Sequence, residues 1–166
     1  WPLADVVNPT ENLELPFVVK TQSICVFGHD LSPELPNFNP DAEIAFIDLS
    51  QIKGDIEEAK SSIGSSSVTE SQVRYWSKRI MKNLIRAAFC LTVTRERRYT
   101  RDLLLCVDTF CRHYPSHQDD IRLALRYFVE PTSDSQELRA YLCGFGSWVA
   151  NEAENMVIGN TYTNCS

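Results

Sequence analysis

The stretch from Val68 to Arg98 constrains the fold more than any other, because a strong helix signal and a strong charge bias coincide there. Thr69 precedes Gln72 at capping-box spacing, and Val68 and Val73 flank them as a hydrophobic staple. Val73, Trp76, Ile80, Leu84, Ala87 and Leu91 then recur at helical steps. That pattern predicts one apolar face of a helix that ends near Thr92–Thr94, where β-branched residues weaken it. Arg74, Lys78, Lys82 and Arg86 follow one another at i, i+4 spacing and form a cationic row on a different face, with Arg79 beside it. Tyr75, Ile85 and Phe89 fall near that row. Nine of the 16 Lys and Arg residues lie between Arg74 and Arg101 against a single acid, Glu96, which leaves seven bases against 21 acids elsewhere. The net charge of −6 therefore conceals a basic segment inside an acidic protein.

The rest of the chain reads as further helices around this one. Asn39-Pro40-Asp41 is a helix start, with a capping residue, a proline in the first turn and an acid favoured by the helix dipole. Ala45, Leu49, Ile52, Ile56, Ala59 and Ile63 continue it at helical spacing, and Gly64-Ser65-Ser66-Ser67 loops back into the basic helix. A third helix is expected from a Thr100 cap to His113, and a fourth from Ser116 with Asp119 to Pro131. A fifth is expected from Ser133 with Gln136, its stripe Leu138, Leu142, Phe145, Val149, Ala153 and Met156, with Gly159 as its stop. The sequence thus predicts an all-α fold, a disulfide-bonded bundle of about five helices over 39–166. Residues 1–38 hold five of the eight prolines and are expected to form an extended arm packed on that body. Within the arm, Phe17-Val18-Val19 and Ile24-Cys25-Val26-Phe27 are strand-type runs, short enough to pair as a small β-hairpin.

Six cysteines (Cys25, Cys90, Cys106, Cys111, Cys143 and Cys165) make an even set, which reads as three disulfides and a secreted, extracellular setting. Trp1-Pro2 reads as the start of a mature, signal-peptide-processed chain. No apolar run approaches the roughly 18–20 residues of a transmembrane helix.

Few residue groupings point to catalysis. There is no Gly-x-Ser-x-Gly elbow, no phosphate-cradling glycine loop and no zinc-protease motif. The three histidines stand near no evident nucleophile, so a catalytic role would need a His–acid pair or two perturbed acids brought together in a cleft. Cys106, Cys111, His113 and His117 include metal-ligating types, but the two cysteines lie about 140° apart around a helix and Pro115 separates the histidines. Neither metal nor cofactor is expected. Arg95, Arg97 and Arg98 match the Arg-x-Arg-Arg processing motif, cleavable if they sit in an exposed, extended loop.

These observations favour a non-enzymatic interaction protein: an effector, ligand or surface-glycoprotein ectodomain. Its contact face would comprise Arg74, Lys78, Arg79, Lys82 and Arg86, and its partner would be another protein or an acidic glycan. The acidic remainder argues against nucleic acid. Acids on the preceding helix, Asp48, Asp55, Glu57 and Glu58 among them, offer the row intramolecular partners as a competing use. A second reading is a carrier of a small hydrophobic ligand, with Trp76, Phe110, Phe128, Phe145 and Trp148 around an interhelical cavity beside Gly144 and Gly146.

Overall fold

A computed structural model describes residues 14–35, 42–96 and 98–163. The described residues are helical or irregular and contain no β-strand. The chain divides into two compact units, Trp1–Asn39 and Pro40–Ser166.

In the described part of the first unit, Phe17-Val18-Val19, expected as a strand-type run, lies in a helix, α1 (Glu14–Gln22). Three apolar residues, Phe17 to Val19, are too few to choose between periods of 2 and 3.6. Pro16 sits in the first turn, the one place in a helix where a missing N–H costs nothing. Phe17 is buried, and Lys20 in the last turn donates to the carbonyls of Ser32 (2.6 Å) and Leu35 (3.4 Å). That fastens α1 to a single 3₁₀ turn, Ser32–Glu34, started by the Asp30 carboxylate accepting the Ser32 N–H at 2.9 Å. Between them Ile24, Val26 and Phe27 are exposed and unpaired with any strand.

The second unit is built on α2 (Ala42–Ile63), α3 (Glu70–Cys90), α4 (Leu103–His113), α5 (Gln118–Val129), α6 (Ser135–Tyr141) and α7 (Ser147–Thr163). The basic helix α3 lies at its centre, packed against α2, α4, α5 and α7. Its capping box forms as expected: the Thr69 hydroxyl accepts the Gln72 N–H, and the Gln72 side-chain Oε1 accepts the Thr69 N–H at 2.8 Å. What the apolar pattern understated is how much of α3 is buried. Ser77, Met81, Ile85 and Ala88 make a second buried stripe beside Val73, Ile80, Leu84 and Ala87, because neighbours cover α3 from both flanks. Ile52 and Ile56 from α2, Phe110 from α4, Ile121 from α5 and Leu138 and Leu142 complete the core.

Several boundaries shift for local reasons. The third-helix cap is Asp102, whose carboxylate accepts the Leu104 and Leu105 N–H groups, while Thr100 instead accepts the Asp102 N–H. Ser116 lies inside a 3₁₀ turn, Pro115–His117, and α5 starts without a side-chain cap. Asp134, not Ser133, caps α6. The expected fifth helix is one rod in pattern but is interrupted by a π segment, Leu142–Gly146. Gly144 and Gly146 tolerate that wider turn, and the Ser147 hydroxyl donates to the Leu142 carbonyl at 3.2 Å. Gly159 does not stop α7, which continues to Thr163. The Asn39-Pro40-Asp41 start, Arg97 and Cys165 fall outside the described residues.

The five described cysteines, Cys25, Cys90, Cys106, Cys111 and Cys143, are free thiols rather than the expected disulfides. Cys25 and Cys143 are exposed, while Cys90 and Cys106 are buried. An even count sets the parity of a disulfide framework but not the close approach of Cβ atoms that a bond requires.

Candidate functional site

An open groove of about 600 Å³ runs along the solvent side of α3. Tyr75, Lys78, Arg79, Lys82 and Asn83 supply it from α3, and Phe128 closes it from α5. Outside the two buried stripes α3 keeps an outward face, and sequence places a cation, an amide or Tyr75 at each of its groove-lining positions.

The two sides of the groove differ electrostatically. On the α2 side its polar groups are already engaged: Arg79 pairs with Glu58 at 3.3 Å, and the Asn83 amide donates to Asp55 at 2.9 Å. The Arg79 guanidinium also lies 4.8 Å from the centre of the Trp76 ring, whose edge meets Tyr75. On the α5 side, Lys78 reaches over the Phe128 ring at 5.7 Å, a cation–π contact. Among the described residues no acid lies within ion-pair distance of Lys78 or Lys82.

The five-residue cationic row therefore divides by role. Arg74 donates to the Pro131 carbonyl at 3.0 Å and to the Ser133 hydroxyl at 3.3 Å, fastening the α5–α6 connection, and does not line the groove. Arg86 is half-buried, with its Nε sealed from solvent and unpartnered among the described residues. Its charge favours the thiolate of Cys106, but burial outweighs it and pushes that thiol up to about 12. Lys78, Arg79 and Lys82 remain as the groove cations, and Phe128 and Tyr75 are the walls. Phe128 could not be associated with the row from sequence, since it comes from another helix and follows that helix's own apolar period.

The acids of α2 serve several ends. Glu57 takes Lys60 at 3.0 Å, and Asp48 accepts the Tyr99 hydroxyl at 3.3 Å and the Cys90 thiol at 3.6 Å. Burial, then Asp48, raises the Cys90 thiol well above its ordinary range.

Three His–acid pairs form: His29 with Glu34, His113 with Glu96 at 2.7 Å and His117 with Asp120 at 3.0 Å. None is joined by a hydroxyl or thiol nucleophile in the described hydrogen bonds. The His113 hydrogen bond holds the Glu96 carboxyl below its usual range, opposite to the raised value that suits a general base at neutral pH. No group of three or more His, Cys, Asp and Glu side chains among the described residues is placed to hold a metal. Arg95 lies in a helical turn, Val93–Glu96, with its guanidinium over the Tyr114 ring at 5.9 Å, and Arg98 is exposed after it.

The aromatics considered for a ligand cavity mostly meet one another. Phe110 contacts Phe145 (6.0 Å) and Trp148 (6.1 Å) edge-on, Tyr114 stacks on Phe110 at 4.9 Å, and His117 stacks on Trp148 at 4.0 Å. Trp76 and Phe128 stand apart, at the flank and wall of the groove.

Comparison with protein-family models, with curated proteins and with solved structures gives no match. No described helix is long and apolar enough to cross a membrane.

Proposed function

We propose that this protein is a secreted, non-enzymatic interaction protein whose groove between α3 and α5 holds an acidic segment of a partner protein. The observation that carries the reading is the pairing of Lys78 and Lys82, one helical turn apart, without acidic partners among the described residues and beside the Phe128 and Tyr75 rings. Two ammonium groups spaced this way suit two carboxylates, and the rings suit an apolar or aromatic side chain between or beside them. An aromatic-walled groove favours a peptide over a uniformly polar sulfated glycan. The Glu58 and Asp55 carboxylates on the opposite edge repel an anion there and so fix which side it occupies.

The extracellular setting belongs to the same proposal and is supported by six cysteines in 166 residues. The described thiols would have to oxidise in that compartment, which comparison of intact mass before and after reduction and alkylation tests directly.

The groove is tested with fluorescent peptides carrying two glutamates around a phenylalanine, with heparin as the glycan arm. Expected is saturable peptide binding that weakens steeply as salt rises, and its loss in the double variant Lys78→Gln/Lys82→Gln. Arg74→Gln, which alters a cation outside the groove, should retain it. Binding that survives the double variant, or heparin binding without peptide binding, would overturn the reading.

A further inference from the structure

A second cavity lies where the 98–100 segment meets α4, and it shares no lining residue with the cationic groove. It holds about 290 Å³, the small end of the range of about 300–1,000 Å³ typical of ligand sites. Its apolar part is made by Phe89, buried at the end of α3, by Tyr99, whose ring meets Phe89 edge-on at 6.3 Å, and by the half-exposed Leu105. Four charged residues line it as well: Glu96, Arg98, Asp108 and Arg112.

Two of those four are spent within the protein. Glu96 accepts from His113 at 2.7 Å and from Arg112 at 3.5 Å, and Arg112 also donates to the Thr109 hydroxyl at 3.1 Å. The other two are not. Among the described residues Arg98 has no carboxylate within ion-pair distance, acting on Glu96 only from further off, and Asp108 has no base within that distance. Both are exposed. Among the described residues the cavity thus presents one unpaired cation, one unpaired anion and an aromatic floor within a volume too small for a peptide.

We propose that this cavity binds a free α-amino acid with an apolar side chain. Its carboxylate sits on Arg98, its ammonium on Asp108, and its side chain against Phe89, Tyr99 and Leu105. A simple anion would meet the Asp108 carboxylate as well as Arg98, and a simple cation would meet Arg98 as well as Asp108. Only a ligand carrying both charges satisfies both, which is the electrostatic basis of the selectivity.

The probe is L-phenylalanine, titrated into the full chain by calorimetry and followed by NMR. The controls are N-acetyl-L-phenylalaninamide, with both charges removed, and phenylpropionate and phenethylamine, each with one. Expected is saturable binding of the amino acid, weakened about tenfold or more by removal of either charge. Arg98→Gln and Asp108→Asn, both exposed and checked for fold by circular dichroism, should each weaken it by a similar factor, while Lys82→Gln leaves it unchanged. The proposal is overturned by absence of saturable binding up to about 10 mM, by equal binding of the capped analogue, by wild-type affinity in both cavity variants, or by loss of binding in Lys82→Gln.

Discussion

Replacing Lys82 by glutamine should make the protein more stable, and replacing its neighbour Arg79 should make it less so. Lys82 has Lys78 and Arg86 one turn away on either side, and no acid within ion-pair distance among the described residues. A like-charge pair at i, i+4 costs about 0.2–0.5 kcal/mol, so Lys82→Gln relieves about 0.4–1 kcal/mol. Lysine and glutamine have similar helix propensities, so the backbone is indifferent. Lys78→Gln relieves the same two kinds of contact, with Arg74 and Lys82, but forfeits its place over Phe128, worth about 0.5–1 kcal/mol at an exposed site. Its net effect should lie near zero. Arg79→Gln loses the exposed Glu58 pair, about 0–1 kcal/mol, and the stacking on Trp76, about 0.5–1 kcal/mol. Urea denaturation at low salt reads all three, and for a chain of 166 residues 1 kcal/mol corresponds to about 2–4 °C in Tm. The Lys82→Gln gain should fade at about 1 M salt, where the screening length is about 3 Å. A destabilised Lys82→Gln protein would refute the reasoning, because Lys82 would then be serving the fold, and so would a gain that persists at high salt, because it would not come from like-charge repulsion.

Three further outcomes follow from the packing. Gly54→Ala should stabilise by about 1 kcal/mol, since a Cβ in that helix interior meets nothing within 4 Å; Gly64→Ala should destabilise, since its Cβ would lie 2.9 Å from an Arg139 nitrogen and 3.0 Å from the Lys60 carbonyl, and thermal denaturation of the two variants compares the signs. In the folded protein kept reduced, alkylation should label Cys25 and Cys143 well before Cys90 and Cys106, whose thiols are buried and raised; equal rates by peptide mass mapping would contradict that burial. The Tyr127 and Thr132 hydroxyls hold the Glu137 carboxyl below its ordinary 4.5, and His113 does the same for Glu96. The folded-state values are the lower ones, so this stability is present above pH 4.5 and is lost as pH falls through them; Glu137→Gln should flatten the acid limb of a denaturation-midpoint profile.

The sequence made the bundle legible wherever a period ran long enough to compete with local alternatives. The span of α3 and its capping box, the length of α2, and the breaks at Gly64 and Pro131 follow from spacing and punctuation that act within a few residues. The misreadings have equally local causes. Phe17 to Val19 is too short to declare a period, and Thr100 and Ser116 are capping types whose hydroxyls lost the helix start to a neighbouring residue or turn. The π segment was invisible because its apolar positions still step by three and four; only the two glycines hinted that the turn widens.

The groove escaped sequence reading for a different reason, and that reason also explains its character. Ile85 and Phe89 looked like apolar intrusions into a cationic face, but both are buried, 0% and 2% exposed, because α4 and α5 cover the flank that a two-layer hairpin would leave open. Packing α5 on that flank brings Phe128 alongside the outward face of α3. Lys78, Arg79 and Lys82 thereby share a groove with an aromatic ring. Arg74, Arg79 and Arg86 turn respectively to a carbonyl, to Glu58 and into the interior. Lys78 and Lys82 have no such partner among the described residues, so in the groove beside Phe128 their charge is left for a ligand to compensate.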